Sequence, residues 1–319
     1  MRRREFTVLL GAAAAWPLTA RAQQAVMPVI GVLQIGSPDP EFPQFERGLA
    51  EHGYVFGKNV TKAVRGAQGN HDKLPELANE LVSLNPTLIV TPGNAVAAAV
   101  RRATSTVPIV FIIASDPTKV GLAKSFANPG GNATGVSMQT ATLTLKRLEL
   151  IRELLPSHAT VGLLVNPDNN ELQLEIERIT RSTGQFLEVA KARNPDDLEP
   201  AFAQLVRARV GAVLVGNDAG FYVQREQIVA LAKHHSLPAT YEFREFCAAG
   251  GLMSYGPSLT GALKRAGTYA ALILKGTRPS DLPIEQPTTF ELVINSTTAR
   301  SLGIQIPPSL LVRVDEVIE

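Results

Sequence analysis

The chain of 319 residues has a single cysteine, Cys247, so no internal disulfide staples it together. Its stability rests on burial of apolar side chains, and an apolar fraction of 45% over this length is enough for two domain-sized cores. Aromatic residues are scarce at 6%, which leaves Ala, Val, Leu and Ile to fill those cores. Excess charge is scarce as well. The formal net charge is +2, but residues 1–22 hold Arg2, Arg3, Arg4 and Arg21 against Glu5, so the remainder carries −1. A nearly neutral body has no electrostatic footprint for nucleic acid. Common catalytic signatures are also missing. None of the five histidines (His52, His71, His158, His234 and His235) stands in a HExxH-type spacing. There is no GxSxG elbow, and no GxGxxG follows the first apolar strand, which argues against a dinucleotide. Cys247, in Phe246-Cys247-Ala248-Ala249, reads as a small buried hydrophobe rather than a nucleophile. These absences argue against an enzyme and against a metal or organic cofactor.

The amino terminus carries an address. Met1 to Thr7 is positively charged, Val8 to Leu18 is apolar, and Ala20-Arg21-Ala22 before Gln23 has the small-x-small form of a signal-peptidase site. The apolar stretch is too short to span a bilayer. Arg3-Arg4-Glu5-Phe6 resembles the twin-arginine export motif, although the arginines of an ordinary secretory signal would look similar. Residues 1–22 are therefore expected to be a removable leader. No cysteine lies near the cleavage site to take a lipid anchor, so the mature chain is expected to be periplasmic and unanchored.

Beyond the leader, apolar runs of strand length alternate with amphipathic stretches of helical length. The organising run is Ile109 to Ala114, rich in β-branched residues and continuous, as in a strand buried on both faces of a parallel sheet. It stops at Ser115-Asp116-Pro117, and a short helix is expected over Val120 to Phe126. Before it come strands at Pro28 to Gly36, Asn59 to Val64 and Thr87 to Thr91. After it come Ala133 to Ser137, Thr160 to Val165, Phe186 to Ala190, Gly211 to Val215, Ala239 to Tyr241 and Gly251 to Tyr255, then Thr289 to Asn295 and a closing strand over Leu310 to Val317. Helices are expected between them, including one over Glu171 to Ser182 and a long one over Leu259 to Leu274. Strand–helix alternation over short loops implies right-handed crossovers and parallel sheets, so the fold class is α/β.

In such sheets the loops at the carboxyl ends of the strands share one edge, and ligands bind there. The first half puts Gln34, Ser37, Thr91, Asn94, Ala95, Ser115 and Asp116 on that edge; the second puts Asn166, Asn217, Asp218, Tyr241 and Phe243 there, with Tyr255 near the end of its last strand. Two facing sets of polar loops would line one cleft, a preferred place for a small molecule. A ligand carboxylate would meet the N–H groups at the helix starts after Gly93 or Ser115. An amine would meet Asp116 or Asp218, and Phe221, Tyr241, Phe243 or Tyr255 would stack on a planar group. For several of these residues a purely structural role is open. Asn94 and Asp116 fit helix caps, and the aromatics fit core packing.

Five motifs together resemble the ABC-transporter substrate-binding family that includes bacterial tryptophan- and tyrosine-binding proteins. They are Gly93-Asn94-Ala95 opening a small-residue helix, Ser115-Asp116-Pro117 with Pro129 to Ser137, Gly250 to Gly256, Leu282 to Asn295, and Asp315 to Glu319. The likeness runs from about Ile30 to the end. It implies a type I periplasmic-binding-protein architecture of two Rossmann-like lobes joined by three crossings near Ser137, Tyr255 and Glu285 to Thr289. The implied lobes are residues 28–137 plus 256–285, and 138–255 plus 286–319. It also implies ligand contacts at Asn94, Ala95, Ser115, Asp116, Asn166, Asp218, Tyr241 and Tyr255. Ser115 stands where the family more usually has threonine, and keeps the hydroxyl. The implied partners are a small-molecule ligand, an amino acid or a small aromatic or carboxylate compound, and the permease and ATPase of an importer, with the chain a monomer. A binding protein feeding a receptor rather than a permease is the alternative, and an enzyme of unknown class a more distant one. A repressor of the same architecture would need a helix-turn-helix where the export leader stands.

Overall fold

The apolar run at the centre of the chain forms a strand with all five residues, Ile109–Ile113, buried. In the computed structural model, which describes residues 27–36, 41–156, 159–168, 180 and 187–319, this strand is the fourth of a five-stranded parallel sheet. The leader, Ser37 and all but Thr180 of the helix expected over 171–182 lie outside those residues.

The first sheet comprises β1 (Val29–Gln34), β2 (Thr61–Gly66), β3 (Leu88–Pro92), β4 (Ile109–Ile113) and β5 (Ala133–Ser137), in the order β2-β1-β3-β4-β5. β2 is an edge strand, and its alternating half-buried and exposed residues show it. The second sheet comprises β6 (Val161–Val165), β7 (Leu187–Lys191), β8 (Ala212–Val215), β9 (Ala239–Tyr241), β10 (Met253–Gly256), β11 (Glu291–Asn295) and β12 (Glu316–Ile318). Its order is β12-β11-β10-β9-β8-β6-β7. Read from β7 to β10, this repeats the order of the first sheet. Among the described residues only the pairing of β11 with β10 is antiparallel. In each sheet the winding reverses beside the first strand, between β1 and β3 and between β6 and β8, the place where open α/β sheets hold ligands.

Three passages link the sheets. The chain leaves the first after Ser137, returns after Gly256 and leaves again after Glu285. The first and third run side by side: Glu285 N–H donates to the Gly135 carbonyl at 3.0 Å and Ser137 N–H to the Glu285 carbonyl at 2.9 Å. Arg265 holds the Glu285 carboxylate with two N–H groups. Arg265 belongs to the Leu259–Leu274 helix, which follows β10 in sequence but packs on helix α1 (Phe42–Ala50) and the first sheet. The two helices meet backbone to backbone. A β-carbon on Gly48 would lie 2.0 Å from the Lys264 carbonyl oxygen, and one on Gly267 would lie 2.1 Å from that of Phe45.

Two expectations are corrected. Val120 to Phe126 is a series of turns rather than a helix: the Pro117 carbonyl accepts from both Leu122 and Ala123 N–H, and Gly121 takes φ +74°. The closing segment is not one strand. Pro308 opens a short helix, Pro308–Leu311, where its missing N–H is no loss, and only Glu316–Ile318 joins the sheet. Among the described residues no helix is long and apolar enough to cross a membrane.

Candidate functional site

The carboxyl ends of both sheets open on one cavity of about 570 Å³. The first lobe contributes Ile35 past β1, Pro92 to Val96 from the last residue of β3 onward, Ile112 to Ala114 at the end of β4, and Met138 past β5. The second contributes Asp168 past β6, Asn217 to Ala219 past β8, and Glu242 and Phe243 past β9. Leu259 and Leu263 join the apolar wall, with Leu74, Pro75, Ala98 and Val120.

Across the rim the lobes touch. A β-carbon on Gly93 would come within 2.9 Å of Ala219 Cβ. Arg225 Nη2 lies 3.9 Å from Glu41 Oε1. His71, just before helix α2 (Leu74–Ser83) of the first lobe, reaches Asn166 of the second, Nε2 to Nδ2 at 3.4 Å. Asn166 also donates from Nδ2 to Asp218 Oδ2 at 3.3 Å, and its Oδ1 accepts from Asp168 N–H at 3.0 Å.

Of the thirteen residues expected to touch ligand, five line the cavity: Asn94, Ala95, Asn217, Asp218 and Phe243. Others stand behind them. Ser115 is buried and accepts from Asn94 Nδ2 at 2.6 Å. Asn94 Oδ1 in turn accepts from Ala114 N–H at 3.0 Å. Asn94 is therefore not a helix cap, since Gly93 holds that position with φ +107°; its side chain braces the end of β4 against the start of helix α3 (Asn94–Ala103). Gln34 and Thr91 are buried in their strands, and Asn166 is buried beneath Asp218. Asp116 does not line the cavity; its Oδ1 accepts from Thr118 N–H at 2.9 Å and from the Thr118 hydroxyl at 2.7 Å. Tyr241 points into the second lobe and stacks on Phe246, with ring centroids 4.6 Å apart. Tyr255 is half-buried beside Phe290, 6.2 Å away.

Of the lining residues that sequence reasoning missed, His71, Tyr222 and Glu242 shape the site most. In the sequence His71 stands out only as a histidine outside any metal-binding spacing. Tyr222 lies one residue past Phe221, which is buried in the core. Glu242 is flanked in the sequence by Tyr241 and Phe243, whose rings draw the attention. Tyr222 and Phe243 meet edge to face at 5.8 Å and 85°, forming an aromatic corner of the cavity. Arg225 lies over the Tyr222 ring, 4.8 Å from its centroid.

The cavity combines a helix start with carboxyl groups. Helix α3 opens at Gly93 with no side-chain cap, so its first N–H groups lack intrahelical partners where Asn94 and Ala95 line the cavity. Asp218 caps the Ala219–Val223 helix, accepting from Gly220 N–H at 2.9 Å and Phe221 N–H at 3.4 Å. Burial raises its carboxyl above the usual range, against the pull of His71, Asn166 and those two amides. Burial also pushes the Glu242 carboxyl up to about 8, against the charge of Arg147. Among the described residues no group of three or more His, Cys, Asp or Glu is placed to hold a metal ion.

The family model described as ABC transporter substrate binding protein matches residues 29–318. The chain belongs to this family. Its relatives include a tyrosine-binding protein of Clostridioides difficile (strain R20291), 25% identical over 282 residues, a match covering 86% of this chain and 81% of that one. Among solved structures, a conserved domain protein of Vibrio cholerae O1 biovar El Tor superposes with a TM-score of 0.79 at 27% identity, over 91% of this chain and 99% of the other. The ABC domain from Streptococcus pneumoniae in complex with L-Trp superposes with a TM-score of 0.78 at 26% identity and the same coverage. The chain thus has the two-lobe type I periplasmic-binding-protein fold, in a family of ABC transporter substrate-binding proteins.

Proposed function

We propose that this chain is the periplasmic solute-binding component of an ABC importer and that it takes an amino acid or a small aromatic or carboxylate compound between its lobes. The observation that carries this reading is the shared cavity, lined by strand ends of both sheets at their points of reversal. In this reading residues 28–137 with 256–285 move as one lobe and 138–255 with 286–319 as the other, hinged on the three passages. A ligand touches both lobes only when they are closed, so binding shifts the population toward closure. A carboxylate is received at the start of α3, where the helix dipole contributes about 0.3–1 kcal/mol, rising to ~2 in a partly buried site. A planar group packs in the corner of Tyr222 and Phe243, worth roughly 0.5–1.5 kcal/mol beyond its buried area. The closed form then docks on the permease.

Thermal unfolding in the presence of free amino acids and small aromatic acids tests the ligand class. A ligand at about a hundred times its Kd adds roughly 2.7 kcal/mol to stability, a shift of several degrees. Absence of a shift with every compound rejects an amino-acid or aromatic-acid ligand.

A further inference from the structure

Glu242 follows β9, is 5% exposed and lines the cavity. The groups that face it come from each neighbouring element: Arg147 of helix α4 (Thr144–Arg152), Thr140 just before that helix, Asp218 past β8 and Glu245 of the following Arg244–Ala248 helix. Only Arg147 is cationic, and it is fully buried without lining the cavity. Its Nη2 makes two long hydrogen bonds, to the Thr140 carbonyl at 3.4 Å and Thr144 Oγ1 at 3.3 Å, while Nε and Nη1 have no hydrogen-bond partner. Glu242 therefore stands between a buried, incompletely satisfied cation and the ligand space.

The same space is lined by another carboxyl, Asp218, which lies within the charge influence of His71. Asp72, Asp168 and Arg102 also line the cavity but are exposed; Glu242 and Asp218, the two acids that are not, repel each other when both are ionised, and burial disfavours either charge. A cation entering between them reverses both effects. The aromatic corner begins at Phe243, the next residue, so a basic nitrogen at Glu242 places an attached aryl group against Phe243 and Tyr222.

We propose that Glu242 is a specificity-determining residue: with Asp218 it forms a two-carboxyl receptor for a basic nitrogen, so the cavity takes an aryl-bearing amine in preference to the same compound without its amine. The proposal rests on the reading of this cavity as the ligand site. Burial holds the free Glu242 carboxyl at about 8, so at neutral pH it is largely protonated. Arrival of an ammonium group leaves a carboxylate–ammonium pair and releases the Glu242 proton to solvent.

Calorimetry on the full chain at pH 7, in two buffers of different ionisation heat, tests this with pairs differing only in the amine. L-tyrosine is set against 3-(4-hydroxyphenyl)propionate, and L-tryptophan against 3-(indol-3-yl)propionate. The amine-bearing member of a pair binds about tenfold tighter or more, with net proton release visible as a buffer-dependent heat. Glu242→Gln weakens the amine-bearing member about tenfold, abolishes the proton release and leaves the deaminated member within about twofold. The buffer dependence on the unmodified chain stands even where the variant folds poorly. Equal binding of both members, absence of proton release, or full amine affinity in Glu242→Gln overturns the proposal alone. If none of the four compounds binds the unmodified chain, the reading of the cavity as a site for amino acids or aromatic acids falls together with it.

Discussion

Gly36 of the first lobe faces Val223 of the second so closely that a β-carbon on the glycine would lie 2.5 Å from Val223 Cγ1, 2.7 Å from Cγ2 and 3.1 Å from Cβ. No rotamer of Val223 clears all three positions. The lobes meet here because one of them has no side chain. Gly36→Ala is therefore expected to oppose closure while leaving each lobe intact. Overpacking costs about 1–3 kcal/mol in a closed interior, and Val223 is 41% exposed, so the lower end applies. Ligand affinity is expected to fall about fivefold, the melting temperature of the ligand-free chain to change little, and Val223→Ala to restore binding. Titration of the single and double variants checks this, and a double variant as weak as Gly36→Ala rules out the steric account.

Much of this arrangement was legible in the sequence, for local reasons. A strand buried on both faces must be apolar without interruption, and Ile109–Ile113 is. A parallel strand must end in a polar loop, and Asn94, Asn217 and Asp218 stand in such loops and line the cavity. What was hidden depends on contacts distant in the chain. His71 meets Asn166 across 95 positions. Leu259 and Leu263 reach the cavity only because their helix returns to pack on α1 through Gly48 and Gly267. The turns over Val120 to Phe126 resembled a helix because periodicity does not register which carbonyl Leu122 and Ala123 will find.

Asn94 links two loops, and that link has a measurable worth. Its Oδ1 accepts from Ala114 N–H and its Nδ2 donates to Ser115 Oγ. Asn94→Leu keeps the volume and removes both functions, which leaves a half-buried amide without its acceptor at a cost of about 1–3 kcal/mol. Asn94→Asp keeps the acceptor for Ala114, and the Ser115 hydroxyl can turn to donate to it, so its loss is expected to be smaller. Denaturant unfolding of the two variants checks the order; equal losses mean that the Ala114 bond contributes little.

Tyr241 and Phe243 lie two apart, yet only Phe243 lines the cavity. The strand ends at Tyr241, which keeps the inward orientation and stacks on Phe246. Phe243, past the strand, meets Tyr222 instead. Tyr241→Phe is expected to leave ligand affinity within about twofold, whereas Phe243→Ala removes an edge-to-face pair and a contact surface and lowers affinity by about 1 kcal/mol or more. Calorimetry with whichever compound stabilises the chain reads both. A loss of affinity in Tyr241→Phe equal to that in Phe243→Ala contradicts the assigned orientations.

Glu242 also ties stability to pH, with a definite sign. Its carboxyl is raised in the folded chain from 4.5 to about 8, chiefly by burial. Below the unfolded value both states carry the proton, and the group costs nothing. Between that value and about 8 the folded state holds a proton that the unfolded state has lost, so stability falls as pH rises, by up to about 1.4 kcal/mol per pH unit from this group. Above about 8 both states are ionised and the loss levels off. Glu242→Gln has no proton to hold, so its unfolding free energy is expected to decline less steeply from pH 5 to pH 8 than that of the unmodified chain, and the two curves to run parallel above pH 9. Asp218, raised in the same direction, leaves a residual slope in the variant. Parallel curves across the whole range mean that Glu242 titrates in the folded chain as it does in the unfolded one, and that its burial carries no proton.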